Sequence, residues 1–357
     1  MPRESVATAT FPAARARAML AATKIQGETP MLAVTRRAAL AAPMLALPLA
    51  ARAQAWRPPG QTRIIVPAAA GGTTDIMARM LAQFLQPRWN MPVVVENRTG
   101  AGGTIGTLEI VRSRPDGTTL LLGNIGPQAI AYSLFRNMPY RADQILPIAG
   151  TIAGPNVLVV NSNVPVRTVA ELAAMLRARP GQVPYASTGV GQSTHLSPVL
   201  MLQLLNAEAI HVPHRGSAPA QIDLLGGNVT FMIDNLTGIM GHIQSGRVRA
   251  LAVTSKERNA MLPDVPAMRE TMPELANYEV NTWFGLFGPV GLPAEAVTSL
   301  NAEVEALVSV PETQRRFAEL GGFAMHGTPE QFAAFVRSEI TKWAEVIRKE
   351  GLQVDAG

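Results

Sequence analysis

From Arg63 onward, short runs of aliphatic and β-branched residues alternate with longer stretches of helical periodicity, and the alternation starts afresh halfway along the chain. That order is the tightest restriction on what the chain can become. Strands that alternate with helices build α/β folds with largely parallel sheets, and a restart implies a second such unit. Strands are expected at RIIVP (63–67), VVVEN (93–97) and TTLLLGN (118–124), with helices near 74–87 and 104–112. ILPIAGTI (145–152) and VLVVNS (157–162) are joined by Gly154-Pro155 with no helix between them, so one of them is expected to cross into a second lobe. The second set reads helix 168–179, strand PYAS (184–187), helix 194–205, strand AIHVPH (209–214), helix 218–226 and strand VTFMID (229–234).

VRALAVTS (248–255) and VNTWFGLFGP (280–289) lead back, and periodicity alone leaves open which of them makes the return. The expected lobes are 56–155 plus 256–357, and 156–255, with the second crossing somewhere between 234 and 285. A last helix near 329–350 sets Phe332, Phe335, Val336, Ile340, Trp343, Val346 and Ile347 on one face, the spacing of a core stripe.

A net charge of +5 invites a nucleic-acid reading, and the placement of the charge removes it. Of 31 basic and 26 acidic residues, seven and two lie within residues 1–55, which leaves 24 of each in the remainder. Within that leader, MLAVTRRAALAAPMLALPLAARAQA (31–55) has a basic pair, an uncharged run from Ala38 to Ala51, and then Ala53-Gln54-Ala55. This is the layout of an export signal with cleavage after Ala55. The run is shorter than the ~20 apolar residues of a membrane span and contains Pro43 and Pro48. Thr35-Arg36-Arg37 followed by Leu40 resembles a twin-arginine signal, although Ala39 and Ala41 depart from it, so the general secretory and twin-arginine routes both stay open. Translation starting at Met31 is the simplest account of the residues before it. The absence of cysteine excludes disulfides, thiol catalysis and cysteine-ligated metals.

Two glycine turns carry the functional signal. VPAAAGGTTDIMARML (66–81) runs from a strand end through Gly71-Gly72 into a helix, and such a turn presents backbone N–H groups at the positive end of a helix dipole. A nucleotide site is not indicated, because Thr73-Thr74-Asp75 stands where a P-loop needs lysine. YASTGVGQSTHL (185–196) repeats the design in the second set, with Ser187, Thr188, Ser193 and Thr194 around Gly189 and Gly191. One such turn alone would be only a cap. Two, one per lobe at the strand ends where open α/β sheets bind ligands, suit the two ends of a small polyanion, and a dicarboxylate better than a phosphate ester. The third cluster, ENRTGAGGTIG (96–106), has Ile105 where a dinucleotide fingerprint needs glycine and reads as a tight turn.

The segments VPAAAGGTTDIMAR, VVVENRTGAGGTIG, YASTGVGQSTHL, VPHRGSAPAQIDLLGGNVTFMIDN (212–235) and RALAVTSKERNAMLPDVP (249–266) together resemble the Bug, or TctC-like, family of extracytoplasmic solute receptors of tripartite tricarboxylate transporters. The resemblance covers nearly all of the chain after residue 56. It implies a two-lobed α/β Venus flytrap of the type II-like periplasmic-binding-protein class with a mainly parallel sheet in each lobe. It further implies a periplasmic monomer that performs no chemistry and needs no cofactor. Its partners would be a small organic acid (a mono-, di- or tricarboxylate, an amino acid or an aromatic acid) and a membrane permease. Ala70, Gly71, Gly72 and Thr73 would hold one end of the ligand, and Ser187, Thr188, Gly189, Ser193 and Thr194 the other. Where relatives commonly show Tyr-Lys-Gly after Val-Pro, this chain has His214-Arg215-Gly216.

Arg215 could pair with a ligand carboxylate through its planar fork, with a solvated loop residue as the alternative. Asp234 is a candidate for an ammonium group, with a turn role beside Asn235 as its alternative. Asp75, in a first helical turn, is expected to stabilise its helix. A competing reading is an exported hydrolase or transferase with Ser193 and His195 as nucleophile and base, although no nucleophile elbow is present. The sensor half of a transcription regulator shares the architecture but not the export signal. His211 and His214 are three apart on a strand and cannot share a metal.

Overall fold

The structure is a computed structural model that describes residues 56–349 and 351–354. The leader 1–55, with the export signal, cleavage point and alternative start expected there, lies outside the described residues.

The first set of elements is β1 (Thr62–Val66), α1 (Thr73–Trp89), β2 (Val93–Asn97), α2 (Thr104–Val111), β3 (Thr119–Asn124), α3 (Ala131–Leu134) and β4 (Ile145–Asn161). Then come α4 (Val169–Ala178), β5 (Pro184–Ser187), α5 (Ser193–Leu204), β6 (Ile210–Pro213), α6 (Ser217–Gly226), β7 (Phe231–Asn235), α7 (Leu236–Gln244) and β8 (Val248–Val253). The chain closes with α8 (Met268–Thr271), β9 (Asn281–Pro289), α9 (Ala294–Val308), α10 (Pro311–Glu319), β10 (Phe323–Ala324) and α11 (Pro329–Lys349). The strand order is β2-β1-β3-β9-β4-β7-β5-β6, with β8 and β10 also paired to β4.

Two parallel trios, β2-β1-β3 and β7-β5-β6, stand at the ends of this order. Between them β9 and β4 run antiparallel to their neighbours. The apolar stretches on either side of Gly154-Pro155 form one continuous strand rather than two. The first part of β4, up to Pro155, pairs with β9, and Asn156 onward pairs with β7 and, from Val157, with β8. Pro155 lacks an N–H, and it stands where the strand changes partners, so it does not interrupt the middle of a ladder.

The return runs between β8 and β9. Thr254 ties it to the outgoing strand: its Oγ1 accepts from Asn156 N–H at 2.8 Å, and its N–H donates to Asn156 O at 2.9 Å. The hydroxyl also lies 2.5 Å from Val280 O, the last residue before β9. The stripe expected on α11 is present, with Phe332, Val336, Trp343 and Ile347 buried and Phe335, Ile340 and Val346 packed against them. Trp283 of β9 meets Phe332 edge-on at 6.0 Å and donates from Nε1 to Glu339 Oε2 at 3.1 Å, so this helix is seated on the sheet by ring packing and one buried hydrogen bond.

Candidate ligand-binding site

β1 ends at Val66, and the chain turns through Gly71, whose φ of 87° is the left-handed region that favours glycine. Gly72 is then the N-cap of α1, and no side chain caps it. Asp75 closes the turn from behind. It accepts from Gly71 N–H at 2.9 Å, from Arg79 Nε at 2.9 Å and from Asn97 Nδ2 at 3.0 Å. Burial would raise its carboxyl, but these bonds hold it below the ordinary carboxylate value. As expected from its place in the first turn, Asp75 serves the helix.

The second turn is built the same way. Gln192 is the N-cap of α5, again without a side-chain cap. Gly216 before α6 and Asn235 before α7 are likewise N-caps with no side-chain hydrogen bond to their helices. These four helix starts meet around one small cavity. Gly72, Thr73 and Thr74 from α1, Gln192 from α5, Gly216 and Ser217 from α6, and Asn235 from α7 all line it, with Asn124 and Thr188. None of its lining side chains carries a formal charge. The cavity measures ≈ 20 Å³, about the room one water needs. The first N–H groups of a helix have no partner within it, and each N-terminus acts as roughly half a positive charge, so the slot is electropositive without a single cation.

A second, larger chamber of ≈ 290 Å³ adjoins the slot. Thr188 and Gln192 border both. The outer walls are Pro67, Gly100–Gly103, Phe135, Gly189, Val190 and Pro213–Arg215. Its one permanently charged side chain is that of Arg215, which is exposed; His214 instead turns to Asp223, Nε2 to Oδ2 at 2.7 Å. Loops from the two sheet halves touch here. Gln192 Nε2 donates to Gly102 O at 2.7 Å, and Ala69 N–H donates to Arg215 O at 3.0 Å.

Of the residues singled out in the sequence, Gly72, Thr73, Thr188, Gly189 and Arg215 line these cavities. The others lie outside the lining. Ala70 and Gly71 are exposed and border neither chamber. Ser187 is fully buried and bonds His211 Nε2 at 2.7 Å. Thr194 Oγ1 accepts from Thr188 N–H at 2.9 Å and lies 2.7 Å from Thr188 Oγ1, pinning the turn from inside. Ser193 is buried at the first position of α5. Asp234 is fully buried and accepts from Ser217 Oγ at 2.6 Å, Gln221 Nε2 at 2.7 Å and Asn235 N–H at 2.8 Å. Burial pushes its carboxyl up, against these three bonds. Its carboxylate thus fixes the starts of α6 and α7. His195 Nδ1 accepts from Gly191 N–H at 3.3 Å, so that nitrogen is engaged elsewhere than at Ser193.

Sequence reasoning missed Asn124, Gln192, Ser217 and Asn235, and it read Gly100–Gly103 as a turn alone. The missed signal was positional: Gln192, Gly216 and Asn235 each follow shortly on a strand and open a helix, as Gly72 does. Asn235 Oδ1 is buried with no hydrogen-bond partner, an acceptor at the wall of the slot.

The two-lobed α/β fold linked by crossing strands is that of the periplasmic binding proteins, BugD among them, which this chain resembles with a TM-score of 0.79 at 35% identity. Within that class, the chain belongs to the tripartite tricarboxylate transporter family receptors, TctC, whose family profile matches residues 77–352. It is 37% identical over 314 residues to protein BugT of Bordetella pertussis (strain Tohama I), covering 87% of this chain and 94% of that one. Among solved structures it resembles Rhodopseudomonas palustris Rpa4515 with adipate, with a TM-score of 0.80, 32% identity, and coverage of 83% of this chain and 99% of that one. It also resembles MatC from the same organism with bound malate, with a TM-score of 0.77, 31% identity, and coverage of 81% and 99%. Among the described residues, no helix is long and apolar enough to cross a membrane.

Proposed function

We propose that this protein is a periplasmic receptor that captures a small organic carboxylate between its lobes and presents the closed complex to the membrane permease of a tripartite transporter. The observation that carries the reading is the convergence of four uncapped helix N-termini on a slot lined by uncharged groups. Each helix end contributes about 0.3–1 kcal/mol toward an anion, and hydrogen bonds to charged oxygens add about 1.5–3 kcal/mol apiece. Adipate and malate, bound by the two related proteins, are acids of this kind.

One carboxylate takes the slot as the lobes part to admit it, through the N–H groups of the helix starts and the hydroxyls of Thr74 and Thr188. The body of the ligand lies in the outer chamber against Phe135, Pro67 and the glycine backbone of 100–103. Arg215 meets a second charge there when the ligand has one. Of the remaining candidates, Ala70, Gly71, Ser187, Ser193 and Thr194 act by shaping the two turns, and Asp234 by fixing the starts of α6 and α7. No nucleophile–base pair forms at Ser193 and His195, so the receptor reading is favoured over hydrolysis.

A thermal-shift screen of the purified protein against mono-, di- and tricarboxylates, amino acids and aromatic acids tests this, since a ligand of the folded state raises Tm. At least one acid is expected to raise it in a concentration-dependent way. A flat response across all of them would refute the receptor reading.

A further inference from the structure

The second glycine turn is held from behind by two imidazoles. Phe231, Tyr185, His211 and His195 form an unbroken stack of rings from β7 through β5 and β6 to the first turn of α5. Successive centroids are 5.4, 4.9 and 4.3 Å apart, and the planes are 23°, 20° and 18° from parallel. At the end of the stack, Gly191 N–H donates to His195 Nδ1 at 3.3 Å. One ring inward, His211 Nε2 lies 2.7 Å from Ser187 Oγ, and that same oxygen accepts from Gly189 N–H at 3.2 Å.

The first of these contacts places a proton. A nitrogen that accepts an N–H carries none itself, so the hydrogen of His195 is on Nε2. Ser187 Oγ accepts the Gly189 N–H and keeps one hydrogen and one lone pair, so it can direct that hydrogen at His211 Nε2, which leaves the ring hydrogen of His211 on Nδ1. In that arrangement the two rings are neutral, of opposite tautomer, and each is an acceptor toward the turn. The turn needs such anchors. Gly189 has φ of 140° and Gly191 φ of 84°, conformations open to glycine among many others. Gly189 and Val190 wall the outer chamber, and Thr188 and Gln192 border both chambers, so an error in the turn moves the site itself.

We propose that His195 and His211 are positioning residues of the solute site, which act as hydrogen-bond acceptors to hold the peptide planes of Gly191 and Gly189 in the pose that meets the ligand. This rests on the reading that the turn from Ser187 to Gln192 grips a carboxylate. Packing alone is the competing role, and substitutions separate the two. Phenylalanine keeps a ring in the stack and removes the acceptor. His195→Asn keeps an oxygen near the place of Nδ1, and His211→Gln keeps one near that of Nε2.

The experiment measures Kd for adipate and for malate by titration calorimetry, and Tm by circular dichroism, on the full chain and these variants. His195→Phe and His211→Phe are expected to weaken the binding of whichever acid is held by about tenfold or more. His195→Asn and His211→Gln are expected to stay within about threefold of the unsubstituted protein. Phenylalanine variants that bind normally would overturn the proposal, as would amide variants no better than phenylalanine. If a phenylalanine variant does not fold, nitrogen-15 NMR of the unsubstituted protein at neutral pH decides. Opposite neutral tautomers support the assignment, and like tautomers or a charged imidazole overturn it. An unsubstituted protein that binds neither acid nor any other in the thermal-shift screen would bring down the receptor reading and this proposal with it. One that binds an acid while the phenylalanine variants bind it equally brings down this proposal alone.

Discussion

The hydroxyls of Thr73 and Thr237 lie 2.7 Å apart and join the first residue of α1 to the first turn of α7 across 164 positions of sequence. With the bonds from Ala69 to Arg215 and from Gln192 to Gly102, this contact closes the slot to the size of one water. A carboxylate with a carbon chain behind it cannot enter such a space. On the proposed reading, binding requires the facing turns to part and close again, and the crossings near Asn156 and Thr254 are the segments expected to take up the change.

Thr237→Val removes one hydroxyl of that contact and leaves Thr73, only 2% exposed, without its partner. The cost is that of an unsatisfied buried polar group, about 1–3 kcal/mol. A urea midpoint lowered at unchanged m-value is the expected result.

Gly102→Ala tests the closed arrangement. A Cβ there would lie 2.1 Å from the Val190 carbonyl oxygen, and φ at this position is 62°. The turn must retreat from Val190, so the outer chamber widens. Affinity for the acid found in the thermal-shift screen should fall by about tenfold or more, a change that calorimetry reads directly, and the strained φ and displaced turn should cost about 1–3 kcal/mol of stability.

Thr254→Val strips the tie between outgoing and returning strands. The substitution keeps the shape but leaves Asn156 N–H buried without an acceptor. Stability is expected to drop by about 1–3 kcal/mol, measured by reversible denaturation.

The stacked histidines make stability depend on pH. Burial, and for each a neighbouring imidazole, lowers His195 to about 3 and His211 to about 4, from an ordinary 6.5. Between pH 6.5 and those values the unfolded chain binds protons that the folded one does not, so stability is full above 6.5, falls as pH falls through the window, and levels off below about 3. By pH 4, His195 alone accounts for about 3 kcal/mol. Comparing denaturation curves of the unsubstituted protein and His195→Asn between pH 7 and 4 isolates this share, because the variant lacks the titrating ring.

Much of the architecture was legible because its signals are local. PYAS is a strand over 184–187 as its composition and flanks predict, and VVVEN is a strand over 93–97. The helical stripe of 329–349 follows from spacing alone. Helices α7, α9 and α10 were not anticipated, and for α7 the reason is visible in its composition. LTGIMGHIQ carries two glycines, which lower intrinsic helix propensity, and it is helical because Leu236, Ile239 and Met240 are buried in the core.

The site divides in the same way. Gly71-Gly72 and Gly189-x-Gly191 mark strand-to-helix turns, since an amide at a helix start follows from chain geometry within a few residues. Which hydroxyls are left to meet a ligand is settled only by what lies opposite: Thr73 is claimed by Thr237, Thr194 by Thr188, Ser187 by His211 and Ser217 by Asp234. The amino-acid order by itself determined the alternation of strands and helices and two of the helix starts at the slot, because those depend on neighbours in the chain. The meeting of four such starts, the closed slot between them and the two rings behind the second turn were decided by the tertiary structure, because hydrogen bonding and desolvation act between groups brought together in space from far apart in sequence.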